Sequence, residues 1–271
     1  MGRLGLFHRA ILQSGSALCP WALARGAVGA ARELAHSLGC PSQNNIATVE
    51  CLRQRPAVEI VRASTRYGPF GPTIDGLVVQ AEPALLMTNM SELYGSYGVM
   101  FGVARAEGFL SAWPSGNVDP TRRGIETDRR DAMLRDAVTK LYGPNVPPAD
   151  IAALAAHEYT DWTRPPHPVA TFEATVEALG DALIVAPVMR AAHFHALAPA
   201  AAPRYLYVFA YQTEHGDFPQ KLGCVHGEEL PYIFGAPLIG HLGPFKANYT
   251  RSENALSETV MTYWTNFAKT G

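Results

Sequence analysis

The 271-residue chain has only four cysteines, too few for a disulfide framework, so a packed core must carry the fold. It is also short of charge. Charged residues make up 17% of the chain, and 22 Lys+Arg against 24 Asp+Glu leave a net charge of −2. That balance removes the electrostatic case for nucleic acid or an anionic membrane surface. No stretch approaches the roughly 20 consecutive apolar residues that span a bilayer. The opening residues Met1-Gly2-Arg3-Leu4-Gly5 lack the basic and apolar segments of a signal peptide. Repeats are absent, and low complexity is confined to alanine-rich patches at 152–156 and 196–202. Nor does G-x-S-x-G occur anywhere, the strand-to-helix turn that presents a nucleophilic serine in one class of hydrolase. What is present is 48% hydrophobic and 10% aromatic content, the composition of a globular chain rather than a disordered tail, a collagen-like rod or a coiled coil.

Three segments have the character of strands. Residues 7–16 are a short apolar run closing on Ser14-Gly15-Ser16, and 97–103 is a second buried run ending before Ala104-Arg105-Ala106-Glu107-Gly108. The third, 204–211, is aromatic and β-branched. Helical spacing occurs at 24–38 through Val28, Ala31, Leu34, Ala35 and Leu38, with shorter pieces at 48–54 and 56–63. Further helices are expected at 129–142, 147–159, 169–196 and 251–268. The last starts at a capping box, Thr250 with Glu253, and its apolar side holds Leu256, Val260, Tyr263, Trp264 and Phe267. Gly68–Pro72 and the polar residues 111–128 read as loops. Strands separated by long helices argue for an α/β fold with a mostly parallel sheet covered on both faces. Three strands are few for such a sheet, because its edges stay open.

Six segments carry a family resemblance: Ala10–Ser16, Gly71–Gly76, Phe101–Val103 with Glu107-Gly108, Tyr159–Trp162, His226–Gly235 and Tyr263–Gly271. In this order they resemble the type-B carboxylesterase/cholinesterase family of α/β-hydrolases, and within it the neuroligins, its non-catalytic adhesion members. The resemblance implies one partial carboxylesterase type-B domain over 1–271. It also implies that the N-terminal sheet half, the nucleophile elbow and the C-terminal helix lie outside these residues. In such a domain the elbow would stand roughly a dozen residues before Met1.

Site residues follow from the matched positions. Glu107 and His226 fall on the triad's acid and base, and Ser14 on a serine that hydrogen-bonds the acid. The resemblance to neuroligins implies that the pair is vestigial. With no nucleophile or oxyanion hole, the chain as it stands is not expected to hydrolyse esters. The alternative is a serine carboxylesterase whose Ser–Glu–His triad takes its serine from upstream. Glu228 and Glu229, beside His226, read as first-turn acids of a helix rather than metal ligands. No metal or cofactor is expected.

Cys40 and Cys51 match a short-loop disulfide of the family, which implies an oxidising compartment. Cys19 reads as a small buried hydrophobe, and a bond between Cys19 and Cys224 stays open. Thr213, Ala247 and Ala186 stand where family members carry cysteines of a second bridge, so that bridge is expected to be absent. Asn248-Tyr249-Thr250 is a glycosylation sequon matching a family position, and Asn89-Met90-Ser91 is a second, weaker one. The helix within 148–162, with Ile151, Leu154, Ala155 and Glu158 on one side, matches a helix through which the family's domains dimerise. Packing of the same stripe on its own domain is an equal reading. The neuroligin likeness implies a neurexin-type adhesion receptor as partner. It places the parent on the extracellular side of the cell membrane through a single span, or in the secreted space.

Overall fold

The computed structural model describes residues 5–65, 70–113, 119–143, 146–200, 202–216, 218–240, 243–245 and 248–271. Three parallel strands run in the order β1 (Arg9–Gln13), β2 (Gly98–Ala104) and β3 (Arg204–Phe209). In chain order the helices are α1 (Ala27–Ser37), α2 (Asn45–Arg53), α3 (Ala57–Ser64), α4 (Pro83–Asn89), α5 (Ser91–Gly95), α6 (Phe109–Ala112) and α7 (Pro120–Arg123). The rest are α8 (Thr127–Tyr142), α9 (Pro148–Glu158), α10 (Pro168–Gly180), α11 (Ala186–Leu197), α12 (Leu230–Ile233), α13 (Ala236–Ile239) and α14 (Arg251–Thr270).

The strand Gly-Val-Met-Phe-Gly-Val-Ala is apolar throughout because β2 is central and buried at every position. Its alternation sends Val99, Phe101 and Val103 against Val188 and Ala191 of α11. Ala104 turns the other way, into a cluster with Phe209, Tyr232 and Val260 of α14. Helices thus cover both faces of a parallel sheet, as expected. In register, Gln13 pairs with Gly102 and Gly102 with Tyr207. A Cβ on Gly102 would meet the Tyr207 ring at 1.8 Å, so the glycine is what lets the tyrosine lie across the strand. β1 and β3 are the edges: β1 is half-buried, and β3 exposes Leu206 and Val208. Arg9 donates to the carbonyls of Ala268 and Lys269, and Arg204 to those of His195 and Ala196. Two strand arginines therefore satisfy the open carbonyls at the ends of α14 and α11.

The single helix expected over 169–196 is three pieces. Pro187 has no N–H to give Leu183, and the run passes through a π-turn at Asp181–Val185, where the N–H of Ala186 donates to Asp181 instead. The expected loop at 111–128 is largely helical where described. It takes in the end of α6, all of α7 with Pro120 and Thr121 buried, and the start of α8. Residues 114–118 lie outside the described residues, as do 68–69 of the Pro/Gly-rich loop. The capping box at Thr250–Glu253 forms as expected. Tyr263 departs from the apolar side of α14 and is exposed, whereas Val260 and Phe267 are buried. On α9 the buried residues are Ala152 and Ala156. Ile151 and Ala155 are partly covered by the same core, and Leu154 and Glu158 face solvent.

The chain resolves into two compact units, one of residues to Pro20 with Ala84–Gly271 and the other Trp21–Pro83. In the second unit, Cys40 follows α1 and is bonded to Cys51 of α2, with Cα atoms 5.7 Å apart. The Asn44 side chain caps α2 by accepting from the N–H groups of Ile46 and Ala47. Val28 of the expected α1 stripe is exposed, while Leu34 and Ala35 are buried.

Candidate functional site

β2 ends at Ala104, and the chain turns into α6 through Arg105, Ala106, Glu107 and Gly108. The segment before α12 runs alongside: Ala106 bridges Val225, and the Ala106 N–H donates to Cys224 O at 2.8 Å. This stitching brings together two residues 119 positions apart. Glu107 Oε2 lies 2.6 Å from His226 Nδ1, and Glu107 Oε1 accepts from the Ala104 N–H at 2.6 Å. The Glu107 side chain is fully buried, and both its oxygens have partners. The imidazole is partly open and lines a cavity of about 230 Å³ together with Thr213, Phe218, Pro231, Phe245 and Tyr249.

The hydrogen bond to Glu107 raises the His226 pKa above its ordinary value. Burial opposes this, and the charges of Glu107 and Glu229 reinforce it. His226 therefore contributes stability that is complete below its unfolded value of about 6.5 and lost as pH rises through the folded value. A Glu107→Gln substitution should lower the His226 titration midpoint followed by NMR. The stability difference between wild type and variant should be larger near pH 6 than near pH 9. An unchanged midpoint would show that the carboxylate does not hold the imidazolium.

Glu228 and Glu229 stand just before α12 and not in its first turn, which holds no acid. Glu228 accepts from the N–H groups of Thr213 at 2.9 Å and Val225 at 3.0 Å, bracing the turn that carries His226. Glu229 is 3% exposed and its Oε2 has no hydrogen-bond partner. Burial raises the pKa of both. Ser14 is buried with φ at 50°, and its N–H donates to Gly102 O. The acid's hydrogen bonds go to Ala104 and His226, so the expected contact from the Ser14 hydroxyl is not made. Cys19 and Cys224 are both buried free thiols, and the open question of a bond between them closes against it.

The sequence did not suggest the polar network behind this turn. Thr213, which stands at a family cysteine position, shares a hydrogen bond with the Tyr232 hydroxyl at 3.1 Å. The fully buried Glu253 accepts from Glu214 N–H at 2.9 Å and from Tyr232 OH at 3.3 Å. Its only signal in the sequence was the capping box. Ala247, the other position of that absent bridge, lies outside the described residues. Asn89 ends α4 and Asn248 precedes the cap of α14, and both are exposed. Chemically, the acid–imidazole pair can hold or pass a proton at Nε2.

A parallel sheet covered on both sides, with an acid past one strand and a histidine on a later turn, has the α/β-hydrolase arrangement. The chain belongs to the carboxylesterase family, whose sequence model matches residues 1–271. It is 36% identical to Neuroligin-3 of Mus musculus over 98% of its length and 32% of that protein's. It matches Neuroligin-3 of Homo sapiens at 36%, covering 98% of this chain and 31% of that protein. Neuroligin-2 of Homo sapiens is similar at 33%, over 98% of this chain and 32% of that protein. The chain thus spans about a third of the length of the relatives it matches.

Proposed function

We propose that the chain is part of a neuroligin-like, non-catalytic cell-adhesion ectodomain that binds a neurexin-type receptor at synapses, on the extracellular side of a membrane. The observation that carries this reading is the likeness to neuroligins over 98% of the chain. The Cys40–Cys51 bond fits an oxidising compartment. Among the described residues, no helix is long and apolar enough to cross a membrane. In this reading the Glu107–His226 pair is structural, tying the end of β2 to the turn before α12. Dimerisation of the full-length protein would use the exposed side of α9, at Leu154 and Glu158, since its other side serves its own core.

A second reading is favoured by one specific observation. The acid–imidazole pair is intact at 2.6 Å with the imidazole partly open, as a serine carboxylesterase needs. Rapid mixing of the full-length protein with a p-nitrophenyl ester separates the two. Adhesion predicts no burst of nitrophenol, and a burst stoichiometric with protein, abolished by His226→Gln, would establish the esterase.

A further inference from the structure

A second cavity, of about 850 Å³, lies between the start of α8, the end of α9 and the start of α10, within one compact unit. Its volume is that of a ligand groove, and the Glu107–His226 pair takes no part in it. The turn joining α9 to α10 builds one wall. Asp161 Oδ1 accepts from the N–H of Thr163 at 3.0 Å and from its hydroxyl at 2.5 Å, Pro165 and Pro166 fix the backbone, and His167 Nδ1 caps α10 by accepting from Val169 N–H. Trp162 lines the groove and is 68% exposed. Its indole N–H donates to His157 O at 2.9 Å, and the His157 ring lies 5.0 Å away, so the ring is held in place while most of its surface meets water.

The charges of this groove do not cancel. Arg130 is paired with Asp131 at 2.8 Å, Arg164 with Asp161 at 3.3 Å and Glu173 with Lys221 at 3.1 Å. Glu177, one turn further along α10, is exposed and has no ion pair among the described residues. Tyr159 also lines the groove, and its hydroxyl donates to Asp181 at 2.7 Å. Burial raises the pKa of that hydroxyl, and the charges of Asp181, Glu177 and Glu158 raise it further. The surplus is negative, and it sits beside an exposed indole, the aromatic face that attracts cations best.

We propose that this groove docks a basic, extended peptide segment of a partner protein, with one Lys or Arg head over Trp162 and another opposite Glu177. A small ammonium ion would satisfy the indole or the carboxylate but leave most of the cavity unfilled. An extended segment spans both. Calorimetric titration of the chain with a short end-capped peptide of alternating arginine and glycine tests this, against the same peptide with glutamate in place of arginine. The arginine peptide should bind and the glutamate peptide should not. Glu177→Gln should weaken binding about threefold, and Trp162→Ala about tenfold. Met189→Ala, exposed on α11 outside the groove, should change nothing. Trp162→Phe keeps a ring for packing and should weaken binding by less than the alanine change. Absence of saturable binding, equal binding of the glutamate peptide, or wild-type affinity in both Glu177→Gln and Trp162→Phe would each overturn the proposal.

Discussion

Gly108→Ala should destabilise the larger unit by about 3 kcal/mol or more, at the upper end of the cost of overpacking a core. The added Cβ would lie 2.0 Å from Val176 O and 2.5 Å from Gly180 N, both backbone atoms of α10. Neither can yield as a flexible side chain would. Phe172, Val176 and Leu179 of the same helix are buried in the cluster that also holds Phe109. Gly180 is the counterpart of this contact, since its own Cβ would come within 2.8 Å of Gly108 N. The two glycines are what allow α10 to lie against the turn that carries Glu107. Displacing that turn also moves the carboxylate next to it. The variant should therefore shift its urea midpoint strongly downward and lose the elevated His226 titration midpoint together with it. A variant as stable as wild type would mean that α10 does not pack here as described.

Replacing both Cys40 and Cys51 by alanine should lower the stability of the Trp21–Pro83 unit by roughly 2–4 kcal/mol. The bond closes a short loop, with a sequence separation of 11, so the effect comes mainly from the freedom returned to the unfolded chain. Amide hydrogen exchange reads it most directly. Protection along α1 and α2 should fall well below that of β2, which belongs to the other unit. Equal protection with and without the bond would show that the loop is already held by Asn44 and Thr48. Thr48 donates from its hydroxyl to the carbonyls of Pro41 and Asn44.

The sequence made β2 legible because a strand buried on both faces writes itself as an unbroken apolar run. α14 was legible because its start is encoded locally, in the reciprocal bonds of Thr250 and Glu253. The π-turn was not, since Pro187 signals a disturbance without saying whether the helix stops or widens. The Gly108–Gly180 contact was out of reach for a different reason: each glycine is permissive in its own element, and only their meeting across 72 positions makes them necessary. Tyr263 follows helical spacing yet faces solvent, because periodicity marks a face without saying how wide the covering surface is. At the site, family resemblance paired Glu107 with His226. It gave no hint that Glu107 also accepts from Ala104, or that Glu228 braces the turn.

The adhesion reading is tested most directly by capture of a neurexin-type ectodomain on a surface bearing the full-length protein, with calcium and then with a chelator. The account predicts saturable capture that is lost on chelation and survives His226→Gln, because the imidazole serves the fold rather than a reaction. No capture under either condition, from protein that retains its His226 titration, would contradict it.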